Sequence, residues 1–425
     1  MTAQILGVLF TPFLARIYGP EAYGIFALLM AVVNNLSQIS TLQLPTGYVA
    51  AENDRAFLAV LRISLIILFS FSSICMGVFF FFGEEIITFF SLEELRSYLF
   101  WIPVYLILMG LDNILLGWNI RLKEFKRGAV AKVSSTIISR GVSLIIGVAY
   151  PPSATGIIAG NLLVYPVEGA MKLSKAIRSI KLTSIFKTEP WHEWKSVLRK
   201  YKEYIFFVTP GVFLTNFSNL LPIYCFSIAF SEKEVGYFAM ASSLVSMPLT
   251  LIVNSSITVF LQKAAETISQ SKEDLSRLVL SLYKKLFFIG FVPLVLIAVT
   301  AKWIFLIVFG PDWAQAGLYV SFLCVAYSFN VVYGPLSVLF RLLNFERVNF
   351  LTTVIFFGIR LLALWIGVWY NDIVISIIGY SIASLLAQLT LISLIFRRVQ
   401  LSLWILARNA IVASLFAALV IWLNT

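Results

Sequence analysis

The chain has 425 residues, is 60% hydrophobic and only 12% charged, and carries a formal net charge of +11. Soluble domains hold about 25% charged residues, so a cytosolic enzyme, a secreted disulfide protein and a nucleic-acid binder are excluded. Thirteen spans of ~20 residues would consume most of the length and leave too little for a separate soluble domain.

Apolar segments fall near 3–18, 22–44, 59–82, 98–119, 129–150, 154–173, 204–229, 234–261, 284–309, 315–340, 348–370, 373–396 and 402–423. They are continuous and lack period-two alternation, which predicts helices rather than barrel strands. The first span is about 24 Å long, short for a bilayer, and predicts a natural start upstream of Met1. No basic segment precedes it and no small-residue cleavage site follows, so it does not read as a cleavable signal peptide. Arg16 ends it beside Tyr18-Gly19-Pro20, as an interfacial anchor or a binding residue. The second span carries Asn34, Asn35 and Gln38. The loop at 83–97 holds Glu84, Glu85, Glu93 and Glu94, which read as a solvated acidic loop.

Charge inside a span is costly and faces a cavity or a partner. Asp112, with Asn113 beside it, lies in the fourth span; titration, cation binding and pairing with an arginine such as Arg140 are all open to it. Arg140 lies deep in the fifth span and Arg360 equally deep in the eleventh. These two read either as guanidinium ligands for an anionic headgroup or as ties within each half. Glu168 lies near the end of the sixth span, and Arg408 in the last. Asn216 and Asn219 share a face of the seventh span, Asn254 lies on the eighth and Asn330 on the tenth. Such amides either join helices or line a wet cavity that reads hydroxyl groups. Pro12, Pro45, Pro210, Pro222, Pro248, Pro293 and Pro335 are placed to bend or break helices.

Lysine and arginine alternate by loop. One side takes 25 of the 32, including Arg55, Arg62, Arg121, Lys172 and Arg398; the other takes Arg16, Arg96, Lys233 and Lys302. The positive-inside rule then places the N-terminus in the cytoplasm. Trp101, Trp118, Trp303, Trp313, Trp369 and Trp422 lie near span ends, as an aromatic belt would. The longest loop, 174–203, carries Trp191, His192 and Trp194 and reads as a linker, with an amphipathic stretch at the membrane surface. Cys75, Cys225 and Cys324 sit in apolar runs and His192 is the single histidine, so no metal site or cofactor is expected.

The chain also repeats. Gly24-Ile25-Phe26-Ala27 aligns with Gly236-Tyr237-Phe238-Ala239 at an offset of 212. Arg121-Leu122-x-x-Phe125-x-Arg127 aligns with Arg341-Leu342-x-x-Phe345-x-Arg347 at 220, a register that also pairs Arg140 with Arg360 and Gly147 with Gly367. The expected fold is an all-α polytopic membrane protein of two six-helix lobes, related by a pseudo-two-fold along the membrane normal, plus a C-terminal helix. Its parts are 1–173, a linker 174–203, a second lobe 204–398 and an additional helix 399–425.

The stretch TPFLARIYGPEAYGIFA at 11–27 resembles the opening of bacterial oligosaccharide flippases. TLQLP at 41–45, AEND at 51–54, FLQKAAE at 260–266, VFGPDWAQAG at 308–317 and Gly334-Pro335-Leu336-Ser337 extend the resemblance to about residue 400. It is to the O-antigen and capsule (Wzx-like) flippases of the multidrug/oligosaccharidyl-lipid/polysaccharide exporter superfamily. The resemblance implies a V-shaped bundle with a central cationic cavity in the bacterial inner (plasma) membrane. It implies that undecaprenyl-diphosphate-linked oligosaccharide is moved from the cytoplasmic to the outer leaflet by alternating access, for surface polysaccharide such as lipopolysaccharide, with H+ or Na+ as candidate coupling ion and a polysaccharide polymerase as candidate partner. The candidate substrate-binding residues are then Arg16, Arg140, Arg360, Asn34, Asn216, Asn219 and Asn254, and the candidate coupling residues Asp112 and Glu168. The expected protein is not an enzyme. An ion-coupled multidrug or cation antiporter of the same fold is the alternative, and a membrane glycosyltransferase or polymerase a more distant one.

Overall fold

The computed structural model describes residues 2–90, 92–179, 198–202, 204–268 and 271–424. Trp191, His192, Trp194 and most of the expected linker lie outside the described residues. Helices dominate among the described residues, and ten of those described are long and apolar enough to cross a membrane. By internal contacts the chain divides into Met1–Ile228 and Ala229–Thr425.

The first unit begins with α1, Thr2–Ser40, which covers the first two predicted spans and is broken at Gly19 (φ 69, ψ 175). That extended, positive-φ conformation is open to glycine and costly for a residue bearing a Cβ. A 3-10 turn, Leu44–Ala50, leads to α2, Asp54–Phe90. At 37 residues α2 is about 55 Å long. It continues past the predicted end at 82, so Glu84 and Glu85 stand on a helix and not in a loop; Glu84 pairs with Arg96 at 2.9 Å. Then come α3 (Trp101–Arg121), α4 (Phe125–Ala149), α5 (Ala154–Leu162), α6 (Val164–Ser179) and α7 (Thr209–Ala229). A π-helical turn, Tyr204–Val208, precedes α7, because Pro210 supplies no N–H to continue a regular ladder.

The core of this unit gathers at the 3-10 turn. Tyr48, Phe57 and Trp118 are buried together, with Tyr48 edge-on to Phe57 at 5.2 Å. Arg121 locks the turn in place: its Nη1 donates to the Tyr48 and Ala51 carbonyls at 3.1 and 2.7 Å, and its guanidinium lies 5.1 Å from the Phe57 ring centre.

The second unit comprises α8 (Glu232–Ile268), α9 (Lys272–Val308), α10 (Ala314–Leu336), α11 (Val338–Leu342), α12 (Glu346–Trp369), α13 (Ile373–Arg398) and α14 (Trp404–Asn424). α10 is its hub and packs on α8, α9 and α13. Ser271 caps α9 through the Glu273 N–H, and Asp372 caps α13 through the Val374 and Ile375 N–H groups. The terminal helix α14 docks on α9, where Asn409 Nδ2 donates to Tyr283 Oη at 3.0 Å.

Two expected belt tryptophans are not at a lipid interface. Trp118 and Trp313 are buried in the protein, because each closes a helix junction, whereas Trp303 and Trp369 are exposed as a belt requires.

Candidate functional site

The strongest concentration of buried charge lies where α3, α4 and α6 meet in the first unit. Asp112 enters from α3; Glu168 and Lys172 enter from α6, four residues apart and so on one helix face. Lys172 Nζ donates to Asp112 Oδ1 at 2.6 Å and to Glu168 Oε2 at 2.7 Å. From α4, Ser135 Oγ donates to Glu168 Oε1 at 2.9 Å. The Lys172 and Glu168 side chains are only 3% and 5% exposed, so this is an interior network; Asp112, at 13%, is its most accessible member. Asn119 Nδ2 donates to the Leu115 and Lys172 carbonyls at 2.8 and 3.3 Å and ties α3 to α6 below the triad.

A cavity of about 450 Å³ opens beside the triad, lined also by Asn113, Glu124, Lys132 and Tyr165. Asn113 borders a second cavity of about 230 Å³, whose wall carries Gln38, Thr41, Gln43 and Thr46. There Gln43 Nε2 donates to Gln38 Oε1 at 2.9 Å. The first cavity is ionic and the second is neutral, rich in amides and hydroxyls.

Asp112 and Glu168 are thus brought together by Lys172, and Asp112 does not pair with Arg140 as one reading of the sequence had it. Lys172, counted from the sequence among the loop bases of the cytoplasmic side, is instead buried in the protein. Its signal was the Glu168-x-x-x-Lys172 spacing, which sets the pair one turn apart.

The arginines are placed differently. Arg140 is half-buried on α4, within electrostatic range of Tyr23. Arg360 is half-buried on α12, its guanidinium carbon 5.7 Å from the Tyr380 ring centre, with Tyr327 and Tyr333 within electrostatic range. Arg16 is exposed at an apolar groove formed with Phe13, Ile17, Leu144 and Val148. Among the amides, Asn34 and Asn216 are half-buried, and Asn219 and Asn254 exposed. None of these four lines the triad cavity. Asn35, next to Asn34, is buried instead; its Nδ2 donates to Tyr224 Oη at 2.6 Å and joins α1 to α7. Among the described residues, no group of three or more His, Cys, Asp or Glu is placed to hold a metal ion.

Comparison with solved structures finds the same fold in membrane transporters. An inward-facing multidrug resistance MATE family transporter of the MOP superfamily is 15% identical, with a TM-score of 0.71 over 94% of this chain and 95% of that one. The lipid II flippase MurJ, in an inward closed conformation, is 16% identical, with a TM-score of 0.74 over 99% and 91%. A MOP superfamily transporter from Pyrococcus furiosus is 14% identical, with a TM-score of 0.59 over 94% and 93%. No curated protein matches the sequence. A family model described as polysaccharide biosynthesis protein matches residues 13–317. Such a match covers well over half of a multi-pass membrane chain, and the chain therefore belongs to the polysaccharide biosynthesis protein family.

Proposed function

We propose that the protein flips undecaprenyl-diphosphate-linked oligosaccharide from the cytoplasmic to the outer leaflet of the bacterial inner membrane, for O-antigen or capsule synthesis. The observation that carries this reading is membership of the polysaccharide biosynthesis family over 13–317, on a fold shared with a lipid II flippase. The neutral cavity supports it: Gln38, Thr41, Gln43, Thr46 and Asn113 are the amides and hydroxyls that sugar hydroxyls require. A diphosphate needs compensating cations where water is scarce. Arg140 and Arg360, one in each unit, are our candidates for that role, with Arg16 a further one. Asn34, Asn216, Asn219 and Asn254 remain candidates for glycan contacts during transport. Asp112 and Glu168 are the candidate coupling residues, tied through Lys172. The N-terminus lies in the cytoplasm, by the distribution of lysine and arginine. The six-plus-six division, with its linker at 174–203 and extra helix at 399–425, is part of this reading.

In a strain lacking any redundant flippase, deleting the gene should leave lipid-linked glycan on the cytoplasmic leaflet and abolish surface polysaccharide. Normal surface polysaccharide in that strain would sink the proposal. Changing Arg140 and Arg360 separately to alanine, at matched protein levels, should cut surface glycan tenfold or more, the scale of a lost charge-assisted contact at about 1.5–3 kcal/mol. Normal export by both variants would remove the arginines from the headgroup role.

The likeness to a multidrug transporter and the buried acids favour a second reading, an ion-coupled antiporter of organic cations. Its signature is altered drug accumulation with intact surface glycan.

A further inference from the structure

Two carboxylates and one ammonium leave the triad with a surplus negative charge. The other charged or titratable groups lining its cavity are Glu124 at the α3–α4 turn, Lys132 on α4 and Tyr165 on α6. Counted formally, Glu124 and Lys132 cancel, and the lining as a whole still carries one surplus negative charge. The cavity reaches them from the α3–α4 turn and has room for several waters at about 30 Å³ each. Asn119 also lines it. That side chain is 3% exposed, its Nδ2 is committed to two carbonyls, and its Oδ1 is buried with no donor among the described residues. An acceptor so placed orders water along the route to the triad.

We propose that the triad is a proton site in which Lys172 sets the selectivity: its tethered ammonium fills the space between Asp112 and Glu168 that a sodium-type ion would need, so the surplus charge is met by a proton. This rests on the coupling role given above to Asp112 and Glu168. With Nζ at 2.6 and 2.7 Å from the two carboxylates, the ammonium already stands where a metal ion would make its contacts. A second cation there would meet it at close range in a medium that screens poorly. A proton needs no such space. It arrives as hydronium relayed through the cavity water, breaks its bond to the hydronium oxygen and forms an O–H bond on Asp112, the more accessible carboxylate, leaving neutral water behind; the triad becomes neutral, and Lys172 keeps its pairing with Glu168.

The test uses the purified full chain in lipid nanodiscs, melted across a pH series in sodium chloride or choline chloride at equal ionic strength. The wild type should melt alike in the two salts and shift with pH. Asp112→Asn, close in shape, should lose a pH-dependent component. Lys172→Met keeps both carboxylates and frees the space between them, so it should gain a response to sodium, a rise of about 3 °C at a roughly hundredfold excess over Kd. Three results would overturn the proposal: sodium stabilising the wild type as it does Lys172→Met, Asp112→Asn titrating like the wild type, or a folded Lys172→Met blind to sodium. Should Lys172→Met fail to fold in either salt, the wild-type and Asp112→Asn curves decide. No substrate enters these measurements. The expected melting signatures beside normal surface polysaccharide in the deletion strain count against the flippase reading alone, and missing signatures beside lost polysaccharide in that strain count against this site alone.

Discussion

α6 and α13 stand at equivalent places in the repeat, yet they bury different chemistry. At the offset of 220, Glu168 and Lys172 become Gln388 and Ile392, and Asp112 becomes Val332. All three replacements are buried in the second unit. At these positions the first copy buries an ionic triad and the second buries an amide and two aliphatic side chains. Buried ion pairs are often matched or bettered in stability by apolar residues of similar size, because desolvation offsets most of the attraction. The second unit shows that this helix arrangement needs no charge there, so the triad of the first calls for an explanation beyond folding.

The comparison is breakable. Lys172→Met strands two carboxylates, and in salt that lacks sodium we expect a loss of about 3–5 kcal/mol in thermal or denaturant unfolding. Installing the second unit's residues together, Asp112→Val with Glu168→Gln and Lys172→Ile, should recover most of that loss while abolishing export. A triple variant as unstable as the single one would mean the two cores are not interchangeable. The next largest effect concerns how α12 meets α13. A Cβ on Gly367 would stand 2.4 Å from the Ser376 backbone nitrogen, which cannot turn aside, so Gly367→Ala should cost about 1–3 kcal/mol, read as a lower Tm. An unchanged Tm would show that this hairpin has slack.

The smallest effect is at the surface of the first unit, where Lys200 Nζ meets Glu52 Oε1 at 2.6 Å. The hydrogen bond and charge of Lys200 hold the Glu52 carboxyl below its ordinary 4.5, and Glu52 holds the Lys200 amine above its ordinary 10.5. The pair's contribution is thus present between those ordinary values. It falls away as pH drops below 4.5 through the depressed carboxyl value, and as pH climbs beyond 10.5 through the raised amine value. Glu52→Gln should lower Tm slightly at neutral pH, and the gap from wild type should close in acid. A gap constant with pH would show that the bond is not electrostatic.

Span positions were legible because a continuous apolar run of ~20 residues has few alternatives in a bilayer. The break at Gly19 was half visible as Tyr18-Gly19-Pro20. That Arg140 and Arg360 stand on long apolar helices was legible from residue counting, whereas the Tyr380 ring beside Arg360 comes from another helix and was not. Lys172 counts with the loop bases when charge is tallied along the sequence, and only the fold brings Asp112 within its reach. Arg121 and Arg341 share a motif, but one clamps the 3-10 turn while the other is 84% exposed beside Glu346. A repeat preserves where a side chain starts, and its partners lie on helices free to diverge.

Gly19 carries a consequence for how this gene tolerates change. A Cβ there would meet no atom within 4 Å, so space sets no limit. The limit is the backbone alone, at φ 69. In a saturation library the codon should keep glycine and purge valine and isoleucine first, asparagine and aspartate after them, because φ 69 with ψ 175 is a combination essentially confined to glycine. The two spans joined at that residue owe their turn to an amino acid whose side chain is a single hydrogen.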